Sequence, residues 1–178
     1  LPSQEGHFSN VLEPRVREYP ELVRAIVKRG HVVGNHSYRH GLNFHFSLPN
    51  SLHKDLDRFD SALHEILGLR CQFFRSPQGF RTPLLADVIR VRKLSCIGWA
   101  GRGLDSVRTD PKAILKSLVR NLSGGSILLL HDGGGLGGRE DRIATLETLP
   151  MLVQEVRARG LGFERLDKLI KVDAYRAR

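Results

Sequence analysis

The chain is poor in sulfur. Its 178 residues include two cysteines, Cys71 and Cys96, and a single methionine, Met151. Both cysteines lie inside apolar stretches with no Cys-x-x-Cys spacing, which argues against a disulfide framework or a thiolate metal pair and predicts buried thiols. Apolar runs are short. The longest, Ile127 to Leu130, is far from the roughly 20 residues that span a bilayer. Eighteen glycines and eight prolines fall into no period, which excludes collagen-like and repeat architectures. An initiator is also lacking, since the chain opens on Leu1. It is therefore expected to be part of something longer, and a signal peptide would lie upstream. The compartment stays undecided, with the cell envelope and secretion as compatible as the cytoplasm.

Apolar residues at 40% and charged residues at 26% suit one domain that buries a core and do not suit a disordered chain. Acidic residues are outnumbered, 19 against 28 Lys and Arg, for a net charge of +9. That excess can mark a nucleic-acid partner, but its distribution argues otherwise. The cations Arg15, Arg17, Arg24, Lys28 and Arg29 are spread along helix-like segments. The late group Arg157, Arg159, Arg176 and Arg178 has no aromatic platform beside it. A solvated basic surface is the expectation, with no nucleic acid, no membrane span and no obligate protein partner.

Helical and strand patterns alternate without a linker, so residues 1–178 read as a single domain. Tyr19 to Arg29 is patterned as a helix stopped by Gly30, and His31 to Asn35 as a strand. A longer helix is predicted from the caps Asn50 and Ser51 to Gly68, carrying Leu52, Leu56, Phe59, Leu63 and Ile66 on one stripe. Cys71 to Phe74 reads as a strand, Pro83 to Lys93 as a helix and Leu94 to Ile97 as a strand. Asp110-Pro111 opens a helix to Leu122. Ser126 to Leu130 gives the strongest strand signal. Ile143 to Arg159 is helical, with Pro150 suggesting a boundary or kink, and Leu161 to Leu166 is a last strand. Residues 1–10 show no apolar strand. Such alternation predicts parallel β/α units with helices outside the sheet.

Chemistry-bearing side chains stand at the strand ends: His36, Arg75, Trp99 and His131. In β/α barrels and in open doubly wound sheets alike, the carboxyl ends of the strands hold the site. His36 and His40, in H-S-Y-R-H, are spaced to share a metal if the segment turns tightly. A pair of surface imidazoles satisfies the same spacing. His131 closes S-I-L-L-L-H-D, a rigid position that suits a general acid or base and equally a hydrogen-bonded core histidine. Asp132 would point away from it on a continuing strand. Arg75, in F-F-R-S-P-Q-G-F-R, can orient a carboxylate or bind an anionic or hydroxyl-rich ligand, or form a structural ion pair. The run Gly133 to Gly138 lacks the Lys-Ser/Thr of a phosphate-binding loop and reads as a flexible loop.

In this order and spacing the pieces resemble the polysaccharide deacetylase family, the NodB homology domain of carbohydrate esterase family 4. Y-P-E-L-V-R-A-I-V-K-R-G-H-V-V-G-N-H-S-Y-R-H is similar to the family's second motif with its preceding helix. F-R-S-P-Q-G resembles the third motif, W-A-G-R-G-L-D (Trp99 to Asp105) a variant of the fourth, and S-I-L-L-L-H-D the fifth. The likeness runs from about Val11 to Leu166. It implies an α/β fold, a distorted (β/α)7-8 barrel lacking its first strand or strands. It also implies metal-dependent removal of N-acetyl or O-acetyl groups from a carbohydrate polymer or oligosaccharide, with acetate released.

By position the resemblance makes His36 and His40 ligands of a divalent metal, zinc by preference and cobalt or nickel as alternatives. It makes His131 the general acid, Asp105 the residue that tunes it, and Arg75 the holder of a catalytic aspartate. Trp99 and Leu129 would contact substrate, Leu129 beside the acetyl methyl. The family's first motif, T-F-D-D, has no counterpart here. No Asp-Asp pair occurs in the chain, Arg102 stands for the fourth motif's first aspartate, and Ser106 for its tryptophan. The chain as it stands is therefore expected to be impaired. A non-catalytic carbohydrate-binding relative is the alternative, and a basic nucleic-acid-binding module a third.

Overall fold

The computed structural model describes residues 8–11, 13–38, 41, 43–132 and 141–176. In chain order the elements are β1 (Phe8–Val11), α1 (Glu13–Glu18), α2 (Pro20–Lys28), β2 (Val32–Asn35), α3 (Pro49–Leu67), β3 (Arg70–Cys71), β4 (Phe73–Phe74), α4 (Pro83–Val91), β5 (Ser95–Cys96), β6 (Gly101–Arg102), α5 (Pro111–Leu118), β7 (Leu128–Leu129), α6 (Ile143–Ala158), α7 (Leu166–Ile170) and β8 (Tyr175–Arg176). They fall into two compact units, Leu1–Ile97 with Phe163–Arg178, and Gly98–Gly162.

In the first unit β1, β2, β4 and β5 form a parallel sheet in that order. Parallel neighbours require a crossover, and α2, α3 and α4 supply them. Each of these helices begins on a proline, Pro20, Pro49 or Pro83, whose missing N–H costs nothing in a first turn. The α3 stripe falls where its spacing places it. Leu52, Leu56, Phe59 and Leu63 are all fully buried, each contributing about 1.5–3 kcal/mol of transfer free energy. Leu52 and Leu56 pack with Phe74, Leu85 and Val88. Phe59 and Leu63 pack with Val16, Val23 and Val33. Gly68 ends the helix in the left-handed region (φ 69°), its amide bonded to His64 O at 2.8 Å. The start differs from expectation by a turn's edge: Leu48 and Pro49 open α3 with no side-chain cap, not Asn50 and Ser51.

Three further sequence expectations are corrected. Phe8–Val11 does form a strand, pairing with β2 from Phe8↔Val32 to Val11↔Asn35. Cys71 to Phe74 is not one strand: β3 pairs antiparallel with β8, and only β4 joins the parallel sheet. Leu161 to Leu166 alternates between more and less exposed side chains as a strand would, but it joins no ladder among the described residues, and Leu166 starts α7. Amphipathic alternation reports exposure on two sides and does not require a hydrogen-bonded neighbour. The thiols are free as expected, Cys71 buried and Cys96 partly so. Burial, helped by the nearby Asp60 charge, pushes the Cys71 thiol up to about 12.

In the second unit β6 and β7 pair in parallel, Gly101 opposite Leu128 and Arg102 opposite Leu129, and α5 packs on α6. The capping aspartate is as expected: Asp110 Oδ1 accepts from Lys112 N at 2.9 Å, ahead of Pro111. Pro150 makes no boundary, because α6 runs through it from Ile143 to Ala158. The β6 strand has no apolar signature, since closeness and not side-chain burial selects its residues. A Cβ on Gly101 would lie 2.4 Å from Leu118 O, and one on Gly103 2.8 Å from Leu130 Cδ2.

Candidate active site

In the second unit the site is built on the paired ends of β6 and β7. Asp105 follows β6 and is buried, with its carboxylate wholly out of solvent. Three donors converge on it. The His131 backbone N–H donates to Oδ2 at 2.8 Å, the Thr145 hydroxyl to Oδ2 at 3.0 Å, and His131 Nδ1 lies 2.9 Å from Oδ1. Arg142 Nη1 also donates to the Asp105 carbonyl at 3.2 Å. Burial by itself would raise the Asp105 pKa. The hydrogen bonds from the His131 ring and backbone, the ring's charge and the Thr145 hydroxyl outweigh it and hold the carboxyl below its ordinary value.

An ionised carboxylate only accepts, so His131 Nδ1 carries the proton, and in the neutral ring Nε2 is left as the base. The His131 side chain is 37% exposed. Asp132, next in sequence, is exposed; β7 ends at Leu129, so strand alternation does not extend to it. A carboxylate-held imidazole at a strand end has the chemistry that acid–base catalysis requires.

In the first unit β2 and β4 are neighbours, with Asn35 opposite Phe74. The residues that follow each strand therefore also meet. His36 Nδ1 lies 2.7 Å from Arg75 O. A carbonyl can only accept, so Nδ1 is the donor and Nε2 carries the lone pair. Asn35 fixes the turn: its Oδ1 accepts from Ser37 N at 2.9 Å, its Nδ2 donates to Leu56 O at 3.3 Å, and Ser37 sits at φ 72°. Tyr38 N is held by Asp55 Oδ1 at 2.7 Å. The Arg75 side chain is buried, its Nε 3.3 Å from Ile97 O. Burial pushes its guanidinium down to about 10, against the small opposing effect of Cys96. It still carries a full charge at neutral pH.

A divalent ion is what the resemblance implies, and one feature fits it. A ligating histidine commonly donates its other ring N–H to a carbonyl or carboxylate, as His36 does to Arg75 O. The donor set is short, however. No group of three His, Cys, Asp or Glu able to hold a metal occurs among the described residues, and His40 lies outside them, as does the glycine run 133–138. Trp99 and Leu129 are half-buried in the second unit, Leu129 within β7. Thr145, Arg142 and Asn35 escaped sequence reasoning. Asn35 left a weak trace, a polar residue closing an apolar strand. Thr145 left none, since 40 residues separate it from Asp105.

Comparison with known proteins bears on the fold. Residues 8–94 match the family model described as Polysaccharide deacetylase. A peptidoglycan-N-acetylglucosamine deacetylase of Bacillus cereus is 26% identical over 162 residues, 88% of this chain and 71% of that protein. A chitooligosaccharide deacetylase of Azorhizobium caulinodans is 26% identical over 157 residues, 84% of this chain and 74% of its own length. Among solved structures, a peptidoglycan N-acetylglucosamine deacetylase superposes with a TM-score of 0.88 at 19% identity, covering 96% of this chain and 78% of the other. A family 4 carbohydrate esterase pseudoenzyme from Bacillus anthracis gives 0.81 at 19%, covering 93% and 55%. The fold is thus the α/β fold of the family 4 carbohydrate esterases, and residues 8–94, just under half of the chain, carry the polysaccharide deacetylase match.

Proposed function

We propose that this chain carries the acid–base and positioning half of a carbohydrate deacetylase site, which hydrolyses an N-acetyl amide or O-acetyl ester on a sugar polymer or oligosaccharide and releases acetate. The observation that carries the reading is the buried Asp105 carboxylate clamping His131 by ring and backbone together. In the reaction the acyl carbon gains a water-derived oxygen and loses its bond to the sugar nitrogen or oxygen. That leaving atom takes a proton, which His131 Nε2 delivers. Asp105 keeps the ring oriented and stabilises its charged form. The buried Arg75 cation is the positioning group for a carboxylate base, and Leu129 and Trp99 are the apolar contacts for the acetylated sugar. His36 and His40 are the proposed ligands of a divalent ion, zinc by preference. When bound, such an ion polarises a carbonyl and acidifies a water.

A second reading, a non-catalytic carbohydrate-binding relative, is favoured by two facts. The 178 residues hold no Asp-Asp pair, and a solved structure of similar fold is a family 4 carbohydrate esterase pseudoenzyme. Acetate release from N-acetylated chitooligosaccharides and from peptidoglycan, with added Zn²⁺ or Co²⁺, separates the two. It is to be measured on this chain and on any longer product its gene encodes. Release that falls on the order of 10²–10⁴-fold in His131→Ala supports the deacetylase. Oligosaccharide binding without release in either form supports the binding protein.

A further inference from the structure

Beside the candidate acid–base pair, within the second unit, lies a cleft of about 520 Å³ that no step above uses. Its lining includes Arg108, Thr109, Asp110, Lys116, Ser117 and Arg120. The loop from β6 supplies one wall. Leu104 turns it at φ 58°, with Val107 N and Arg108 N bonded to Leu104 O, so Asp105 begins the same loop that Arg108 closes. The other wall is α5 and the turn that follows it, which carry Lys116 and Arg120 respectively.

The charges of this cleft are one-sided and uncommitted. Arg108 Nη1 donates to Ala113 O at 2.9 Å and to the Ser117 hydroxyl, which fixes the guanidinium against α5. Its Nη2 and Nε make no bond among the described residues. Lys116 and Arg120 make no ion pair among them either, whereas Arg15, Arg24, Arg90 and Arg159 each pair with a carboxylate within four residues. The one carboxylate in the lining, Asp110, is engaged in capping: its Oδ1 accepts from Lys112 N. Three cations and two hydroxyls line this concave surface, a composition suited to an anion.

We infer that the cleft formed by Arg108, Lys116 and Arg120 binds an anionic substituent, a carboxylate or a phosphate, of the acetylated carbohydrate polymer, so that the substrate is negatively charged. This rests on the deacetylase reading for the words "acetylated carbohydrate". The anion preference itself is read by binding and does not depend on turnover.

The test compares three N-acetylated probes by calorimetry at low and at physiological salt. They are neutral tetraacetylchitotetraose, a hyaluronan tetrasaccharide that carries carboxylates, and N-acetylglucosamine 1-phosphate. The expected result is tighter binding of one or both anionic probes, with the preference reduced about 3–10-fold in Lys116→Gln/Arg120→Gln and weakened by salt. Whichever anionic arm responds identifies the source of the charge. The control Lys28→Gln/Lys54→Gln removes the same charge from exposed positions in the first unit and should retain the preference. Equal losses in both double variants would mean diffuse attraction by the net charge and would overturn the site, as would a preference untouched by the cleft variant. Loss of acetate release with the anion preference intact would count against the deacetylase reading and not against the cleft.

Discussion

Replacing Asp105 by Asn preserves its volume and exchanges one acceptor oxygen for an amide donor. In the native arrangement Oδ2 takes two hydrogen bonds, from His131 N and the Thr145 hydroxyl, and Oδ1 takes one, from His131 Nδ1. The asparagine carbonyl will stay where two donors need it. Its NH2 then faces His131 Nδ1, and two donors cannot bond. The ring relieves the conflict by moving its proton to Nε2. A charge-assisted hydrogen bond of about 1.5–3 kcal/mol is thereby replaced by a neutral one of about 1 kcal/mol. The net loss is about 0.5–2 kcal/mol, or a fall in Tm of about 1–8 °C for a chain of this size. Asp105→Ala is worse, about 3–5 kcal/mol, because it leaves buried donors with no acceptor.

The sign with pH follows from the direction of the shift. Asp105 has a folded pKa below its ordinary value, so its contribution to stability is complete above the unfolded value of about 3.9 and is lost as pH falls through the lower folded value. Urea unfolding between pH 2 and 7 should therefore show an acid limb that Asp105→Asn flattens. Long-range ¹H–¹⁵N spectra should show Nδ1-protonated His131 in the native chain and Nε2-protonated His131 in the variant. Native His131 protonated at Nε2, or an acid limb the substitution leaves unchanged, would refute the claim that this carboxylate sets the tautomer.

Three further substitutions test the frame. Gly101→Ala forces a Cβ to 2.4 Å from the Leu118 carbonyl oxygen, a backbone atom that cannot step aside, and should cost about 1–3 kcal/mol by urea melt. No change in midpoint would mean that β6 does not sit so close to α5. Arg92 pairs with Asp57 at 2.8 Å and with buried Asp60 at 2.7 Å. Arg92→Ala should cost about 3–5 kcal/mol. Burial already raises the Asp60 pKa despite Arg92, so the penalty should grow as pH rises from 4.5 to 7, and a penalty constant in pH would contradict it. Zinc at excess should raise the Tm of the native chain by linkage and that of His36→Ala by much less. Equal shifts would remove His36 from the metal site.

Much of this architecture was legible because its signals are local. The α3 stripe, Pro83 and Pro111 at helix starts, the stops at Gly30 and Gly68, and the strand-end positions of His36, Arg75 and His131 all depend on residues within a few places of one another. What was missed depends on distant partners. Phe8–Val11 is a strand because β2 lies beside it. Leu161 to Leu166 alternates like a strand and has no described neighbour to make it one. Thr145 is meaningful only through Asp105, 40 residues earlier.

The β6 strand shows why the site's geometry was harder to read than its residues. Parallel pairing sets the carboxyl ends of neighbouring strands side by side, so the residues just beyond them meet whatever their separation in sequence. That is how His36 reaches the Arg75 carbonyl across 39 positions, through β2 and β4. The same rule brings Asp105 to His131 across 26, through β6 and β7. The first pair could be guessed because both of its strands announce themselves with apolar residues. The second was named only through the family resemblance and not from its strands, because β6 is Gly101-Arg102, followed by Gly103, and a strand chosen for close backbone approach carries no hydrophobic signature. The glycines that hide the strand are also what allow β6 to lie against Leu118 and Leu130. Enlarging either one should therefore disturb the Asp105–His131 pair before it unfolds the unit. In Gly103→Ala the obstructing atoms are side-chain ends, Leu130 Cδ2 at 2.8 Å and Ile114 Cγ2 at 3.0 Å, which can yield where the Leu118 carbonyl cannot. That variant should stay folded and still broaden the His131 ring resonances. Sharp, native-like resonances there would show that the pair does not depend on how closely β6 is packed.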